Sequence, residues 1–444
     1  MRSDRTAGAG SHRAVWRLHL LSGLIVGPVL LVLALTGMVY LFDREIDGWW
    51  NASRARINGS GPSLALPAQE AAVLAEMPGA SSKRIVLPDR SGIAAEWLVE
   101  NADGERMLLF VDPRSGTITG SADPAWQPTA IARRLHGELL SGDAGSYVVE
   151  LVASMTLVMV ATGLYLWWPR SWRLGGVLVP RLRGGHQMKW RDLHAVPAML
   201  SALFLAFLVI TGMPWSVFWG AQFARLGTQL PAIAPSPNFA EHVPARHDAT
   251  HAGVPWSIQH GPVPHEHSPE HAHHAQSLAG VEPHLARIDT SLSSGRIRIF
   301  YPGGDGDPFM VSWTPDRAQA QRTLYIGAQT GELIADIGWN DYSPAARIVE
   351  WGVMTHMGRQ YGAINQWLNL GFCIGIVGAV IAGLRLWWIR RPPASLGGPQ
   401  LSPHDRFPRG LLVLLIAIGL LFPLAGAALL LIAAAERLLF RRQH

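Results

Sequence analysis

The sequence predicts an integral membrane protein, mainly α-helical. Two duplicated two-span units supply four core transmembrane helices, a fifth span follows at the C-terminal end, and two small α+β domains lie on the outer face. Three observations carry this. Of 444 residues, 49% are apolar and 16% charged, a balance that suits a bilayer-embedded chain with sizeable water-exposed parts. Five stretches are long enough to cross a bilayer, which needs ~20 apolar residues. Finally, a spacing repeats: His136 stands 31 residues before Trp167, and His356 stands 31 residues before Trp387. His19 likewise precedes Thr36 by 17 residues, and His194 precedes Thr211 by 17. Such self-similarity marks an internal duplication.

Taken in order, residues 1–18 form an arm carrying Arg2, Arg5, Arg13 and Arg17. The first span, 19–42, lacks a small-residue cleavage site and is too long for a signal-peptide core, so it reads as a retained anchor. Residues 43–135 form the first outer domain, with an amphipathic helix at 63–80 and alternating strand-like runs after it. There Asp112-Pro113-Arg114-Ser115-Gly116 reads as a turn between two strands. Residues 136–168 hold His136 and the second span, 169–193 a basic loop, and 194–220 the third span. The second outer domain, 221–355, repeats the turn at Ala328-Gln329-Thr330-Gly331 and contains a Pro- and His-rich insertion at about 226–277. His356 and the fourth span occupy 356–388, followed by a loop at 389–410, the fifth span at 411–434 and a tail at 435–444.

The basic residues of the arm and of the loops 169–193 and 389–410 fall on one side if the spans alternate, which makes that side cytoplasmic. The net charge of +5 is therefore topological and gives no nucleic-acid signal. In a five-span arrangement the basic tail ERLLFRRQH lies outside, against the charge rule. The lone cysteine, Cys373, excludes an intramolecular disulfide, a cysteine-ligated iron–sulfur cluster and covalent c-type haem attachment.

Each of the four core spans opens on a histidine. His19 and His194 enter from the cytoplasmic side, while His136 and His356 stand on the outer side. Two layers result, each with imidazoles from two helices, the arrangement that clamps a haem iron from both faces. Small residues follow the inner pair at helical spacing: Gly23 and Gly27 after His19, Ala198 and Ala202 after His194. They leave room for a flat porphyrin, or they serve helix packing. Arg17, Arg134 and Arg359 lie near the histidines as candidate propionate partners. The competing reading of the histidines is a duplicated set of structural, interfacial side chains. Glu150 and Arg385 read as snorkelling groups, and the pairs Trp167-Trp168 and Trp387-Trp388 as interfacial anchors.

The segments LHGELLSGDAGSYVVELVASMTLVMVATGLYLWWPR, RDLHAVPAMLSALFLAFLVITG and THMGRQYGAINQWLNLGF resemble the signatures of PepSY-associated transmembrane proteins. The outer runs ending VDPRSGTITG and IGAQTGELIADIG resemble PepSY modules. This resemblance covers nearly the whole chain outside the His-rich insertion. It implies a bacterial inner-membrane protein with a cytoplasmic N-terminus and two periplasmic PepSY-like domains, similar to ferric-siderophore reductases. It further implies two b-type haems with His19, His136, His194 and His356 as axial ligands, and electron transfer across the membrane to a periplasmic metal chelate. No G-x-G-x-x-G follows a strand and the cytoplasmic loops are short, so no flavin or nicotinamide site is expected. An external donor, a quinol or a cytoplasmic reductase, is then required.

In the insertion, His265, His267, His271, His273 and His274 form a candidate site for borderline and soft metals. It reads as a metal buffer, a biased spacer or a sensor, and in the first case the acceptor could be cupric rather than ferric. No catalytic side chain is assigned. Two other functions fit the pattern less closely. One is a non-enzymatic envelope regulator that needs no haem. The other is a transporter, which the continuous spans disfavour.

Overall fold

The structure, a computed structural model, describes residues 2–59, 61–169, 172–229, 242–243, 254–259, 263–264, 277–292, 295–304, 306–393, 397–399 and 405–441. The helices, in chain order, begin with α1 (Arg2–Tyr40), α2 (Asp43–Trp50), α3 (Leu66–Glu76) and α4 (Pro128–Glu138). Next come α5 (Gly142–Trp167), α6 (His186–Gly212), α7 (Phe218–Gln229) and α8 (Pro344–His356). The last are α9 (Ala363–Arg390), α10 (Arg409–Leu421) and α11 (Pro423–Arg441). Two compact units result, one helical and one built on a sheet; the sheet unit takes Phe42–Ile131 and Phe223–Gln366.

In the helical unit, α1, α5, α6 and α9 are long and apolar enough to cross a membrane. Their outward surfaces keep large apolar side chains uncovered, Leu203 at 85% and Ile374 at 56% exposure, which suits lipid rather than water. Inside, Leu18, Val26 and Leu33 of α1 meet Val152, Met155 and Val158 of α5. Threonines in these helices satisfy their hydroxyls locally: Thr156 donates to the Val152 carbonyl at 2.8 Å and Thr162 to that of Val158 at 2.7 Å.

The expected fifth span at 411–434 is not one helix. It is a hairpin of α10 and α11 that turns at Phe422-Pro423. The 13 residues of α10 extend ~20 Å, short of the ~30 Å hydrocarbon slab. Pro423 cannot donate the next helical hydrogen bond, so the chain breaks there. Two glycines let the arms meet: a Cβ on Gly419 would stand 3.0 Å from the Gly426 Cα. Leu415, Phe422 and Ala425 pack the hairpin into the same apolar cluster as α5. At the far end Arg17 pairs with Glu436 at 2.6 Å, and Arg13 with Asp405 at 2.6 Å. The end of α11 thereby returns to the side of the basic arm, and the conflict with the charge rule disappears.

Glu150 does not snorkel. It is 2% exposed and its carboxylate accepts the backbone N–H groups of Phe218 at 2.8 Å and Trp219 at 3.0 Å. It caps the first turn of α7, where orphan donors and the helix dipole favour an anion. Arg385, by contrast, is exposed, as expected. Arg391 stacks over the Trp388 ring at 3.7 Å from its centre, so this tryptophan pair ends α9 with a cation–π contact.

The outer segments, expected as two small domains, are joined in one eight-stranded sheet. Its strands are β1 (Ser81–Val86), β2 (Ala95–Glu100), β3 (Arg106–Val111), β4 (Ile118–Ala122), β5 (Gly295–Phe300), β6 (Phe309–Pro315), β7 (Arg322–Ile326) and β8 (Leu333–Gly338). The order β8-β7-β6-β5-β1-β2-β3-β4 is two antiparallel meanders joined edge to edge. At the seam Ile85 pairs with Ile299 and Val86 with Arg298. Each meander thus covers an edge of the other, which removes two open edges. One face carries the main core: Ile85, Trp97, Leu109, Ile299, Trp313 and Leu324 under Leu66 and Val73 of α3. Both turns read from the sequence form as expected. In the first, Gly116 at φ +73° donates its N–H to the Asp112 carbonyl at 2.9 Å; in the second, Gly331 at φ +69° donates to Gly327 at 2.9 Å.

Two outcomes follow. Topology reporters fused after α11 and before α1 should read the same side of the membrane, whereas a continuous fifth span would put them on opposite sides. Glu150→Ala leaves two N–H groups at the start of α7 without this acceptor and should lower stability by about 2–4 kcal/mol in detergent melts, with Glu150→Gln retaining part of it.

Candidate functional site

The inner histidines meet as expected from their shared side. His19 on α1 and His194 on α6 face each other with ring centres 6.2 Å apart and planes at 66°. Each ring is held by its Nδ1. That of His194 lies 2.8 Å from the Ala379 carbonyl of α9. A carbonyl can only accept, so Nδ1 carries the proton and Nε2 the lone pair. His19 Nδ1 lies 2.9 Å from Thr162 Oγ1 of α5. The Thr162 hydroxyl already donates its one proton to Val158 at 2.7 Å, so it accepts from His19. Both rings therefore adopt the same tautomer, and all four long helices supply either an imidazole or the group that orients one.

Close packing fixes the rings further. A Cβ on Gly383 would stand 2.7 Å from His194 Nδ1, and one on Gly163 would stand 3.1 Å from His19 Cε1. Any side chain at Gly383 would push the imidazole away. Gly23 and Gly27, expected to leave room beside the pair, instead face Met159 and Val380 of neighbouring helices. They are helix contacts. Ala202 is buried and Ala198 half-buried.

His136 sits in the last turn of α4. The chain then reverses through Leu139 and Leu140, both at positive φ, into α5. Its Nδ1 stands 3.0 Å from the Leu33 carbonyl and 3.1 Å from Thr36 Oγ1, both on α1. Since Thr36 donates to Val32 at 2.7 Å, Nδ1 is again the protonated nitrogen. Gly37 lies against this ring, with a Cβ reaching Cε1 at 3.5 Å. His356 is the last residue of α8, in the sheet unit, and is half-buried. Both outer histidines thus end a short helix that leads into a spanning one.

The three arginines expected near the histidines already hold carboxylates. Arg17 pairs with Glu436 and also donates to the Pro399 carbonyl at 2.9 Å. Arg134 pairs with Glu138 at 3.3 Å, and Arg359 with Asp43. His265, His267, His271, His273 and His274 lie outside the described residues. Among the described residues no group of three or more metal-ligating side chains converges, so the pairwise imidazoles are the ligand geometry on offer.

The sequence reading missed the partners of the rings. Thr162, Gly163, Ala379 and Gly383 carried no assigned role, although a signal existed: Thr-Gly recurs at Thr36-Gly37, Thr162-Gly163 and Thr211-Gly212. In the first two, the threonine accepts from an imidazole and the glycine makes space for it. Asp192 was missed as well. It is fully buried two residues before His194 and takes a bidentate grip from Arg181 at 2.7 and 3.0 Å, tying the basic loop to the start of α6.

Comparison with known proteins agrees with the resemblance. No curated protein matches the chain. The family described as PepSY-associated TM region matches residues 16–390, so the span from just before His19 to the end of α9 is covered and the chain belongs to that family.

Proposed function

We propose that this protein is a two-haem, b-type electron-transfer reductase of a bacterial inner membrane, delivering electrons to a periplasmic ferric siderophore or similar chelate. The observation that carries the reading is the His19–His194 pair. The ring centres stand 6.2 Å apart. Two imidazoles on neighbouring helices at such a distance could share one metal ion through their Nε2 atoms. Both Nδ1 atoms are engaged by acceptors, which is how haem- and metal-binding histidines are oriented. The residues therefore fit a bis-imidazole haem, which supplies one-electron chemistry when bound.

His19 and His194 would hold the inner group. His136, which shares the Nδ1 arrangement, would be a ligand of the outer one. The apolar walls of α1, α5, α6 and α9 keep water from the path, and Thr162 and the Ala379 carbonyl hold their rings' Nδ1 protons in place. The basic arm and loops put the N-terminus in the cytoplasm, with the sheet unit in the periplasm as a pair of PepSY-like modules. The electron donor is external, a quinol or a cytoplasmic reductase. One electron converts Fe(III) to Fe(II), which hard oxygen ligands hold less well, and the metal is released.

Anaerobically reduced protein mixed with a ferric hydroxamate chelate should be reoxidised while ferrozine-trapped Fe(II) appears in proportion. Absence of both would turn the reading towards a non-enzymatic regulator. Thr162→Val and Gly383→Ala should each weaken retention of the inner haem, the former by about 10–100-fold, leaving the outer one in place. Pyridine haemochrome titration measures this.

A further inference from the structure

Residues 168–185, which join α5 to α6, hold a folded loop that none of the functions above uses. One buried group fixes its shape. Asp192 is fully buried and accepts the Arg181 backbone N–H at 3.1 Å as well as both guanidinium bonds. The loop folds back against the Arg181 side chain. Leu178 and Val179 donate to the Leu174 carbonyl at 3.0 and 2.9 Å, and Gly176 donates to the Val179 carbonyl at 2.7 Å. Gly176 stands at φ +82°, and a Cβ there would meet the Arg181 guanidinium at 2.5 Å, so the turn requires glycine.

This scaffold holds apolar side chains outward. Trp168, Trp172, Leu174, Leu178, Val179 and Leu182 are between 43% and 71% exposed. The two tryptophans pack edge to face with ring centres 6.1 Å apart. Cations lie among them. Among the described residues, the ion pairs of this stretch are those of Arg181 and Arg191 with Asp192, which leaves Arg173, Arg183 and Lys189 exposed with no carboxylate. In the sequence 169–193 the sole carboxylate is Asp192, and it is turned inward.

The place of the loop says what covers it. α5 ends at Trp167 and α6 opens at His186, and both are long and apolar enough to cross a membrane. A bilayer surface is therefore within reach of the loop at all times. A soluble partner would leave six large apolar side chains in water whenever it departed. Arginine and lysine interleaved with tryptophan and leucine match the boundary between acidic headgroups and acyl chains.

We propose that this loop is a docking surface for acidic phospholipid. Its tryptophans, leucines and valine enter the headgroup–acyl boundary of the adjoining leaflet, while Arg173, Arg183 and Lys189 hold the phosphates. Through Arg181 and Asp192 the docked loop is tied to the start of α6, two residues before His194. The proposal requires neither haem nor electron transfer, so it stands or falls apart from the reductase reading.

The test is fluorescence quenching on the full-length protein in vesicles of phosphatidylcholine and phosphatidylglycerol. Cys373→Ala removes the native thiol, and Leu178→Cys carries an environment-sensitive fluorophore. Leu174→Cys is the second labelling position, so that one misfolded variant does not decide the outcome. Bromine on the acyl chains of either lipid is the lipid-side quencher, and iodide is the aqueous one. Strong quenching by brominated lipid and little by iodide is expected. At low salt it should be about 2–5-fold stronger from brominated phosphatidylglycerol than from brominated phosphatidylcholine. Arg173→Gln combined with Arg183→Gln should bring that ratio towards one while quenching by phosphatidylcholine persists. Quenching by iodide alone places the loop in water, and protection from both quenchers places it under protein; either overturns the proposal. Equal quenching by the two lipids, unchanged in the double variant, overturns it too.

Discussion

The arrangement of the helical unit depends on one kind of contact: an imidazole Nδ1 donating to an acceptor on a neighbouring helix. His19 reaches Thr162, His194 reaches Ala379 and His136 reaches Leu33 and Thr36. In hydrocarbon an unpartnered polar group costs several kcal/mol, so each of these bonds fixes a ring and joins two helices at once. The consequence is chemical. With Nδ1 committed, the lone pair of each ring is at Nε2, and α1 and α6 bring the two ring centres to 6.2 Å. The glycines beside the rings are part of the same constraint, because a methyl group at Gly163 or Gly383 would occupy space the imidazole uses.

The same rule governs the other polar groups of this unit. Glu150 is tolerated because two backbone donors at the start of α7 face it, and Asp192 because Arg181 chelates it. Each buried carboxylate is matched by donors, backbone N–H groups in one case and a guanidinium in the other. The sheet unit solves a different problem. Two meanders share one seam, and each covers an edge of the other.

Much of this was legible in the sequence where the signal was local or periodic. The histidine spacings marked the four long helices, and Asp112-Pro113-Arg114-Ser115-Gly116 formed the turn its residues demand. One failure was local and the others were not. The run 411–434 reads as one span because hydropathy averages across Pro423, yet that proline divides it. Glu150 looks like a snorkelling group until α7, remote in sequence, presents its N-terminus. The β1–β5 seam leaves no mark, since edge pairing between distant segments is carried by backbone groups every residue has. Thr162-Gly163 was visible as a repeat of Thr36-Gly37 but acquires meaning when an imidazole is seen against it.

The central proposal is that His19 and His194 would together hold one haem. Low-temperature electron paramagnetic resonance of the oxidised, detergent-purified protein tests it most directly, with His19→Ala and His194→Ala beside it. The account predicts low-spin bis-imidazole signals in the unmodified protein and loss of the same component in both variants. A protein without haem after expression with haem supplied, or variants that lose different components, would contradict it.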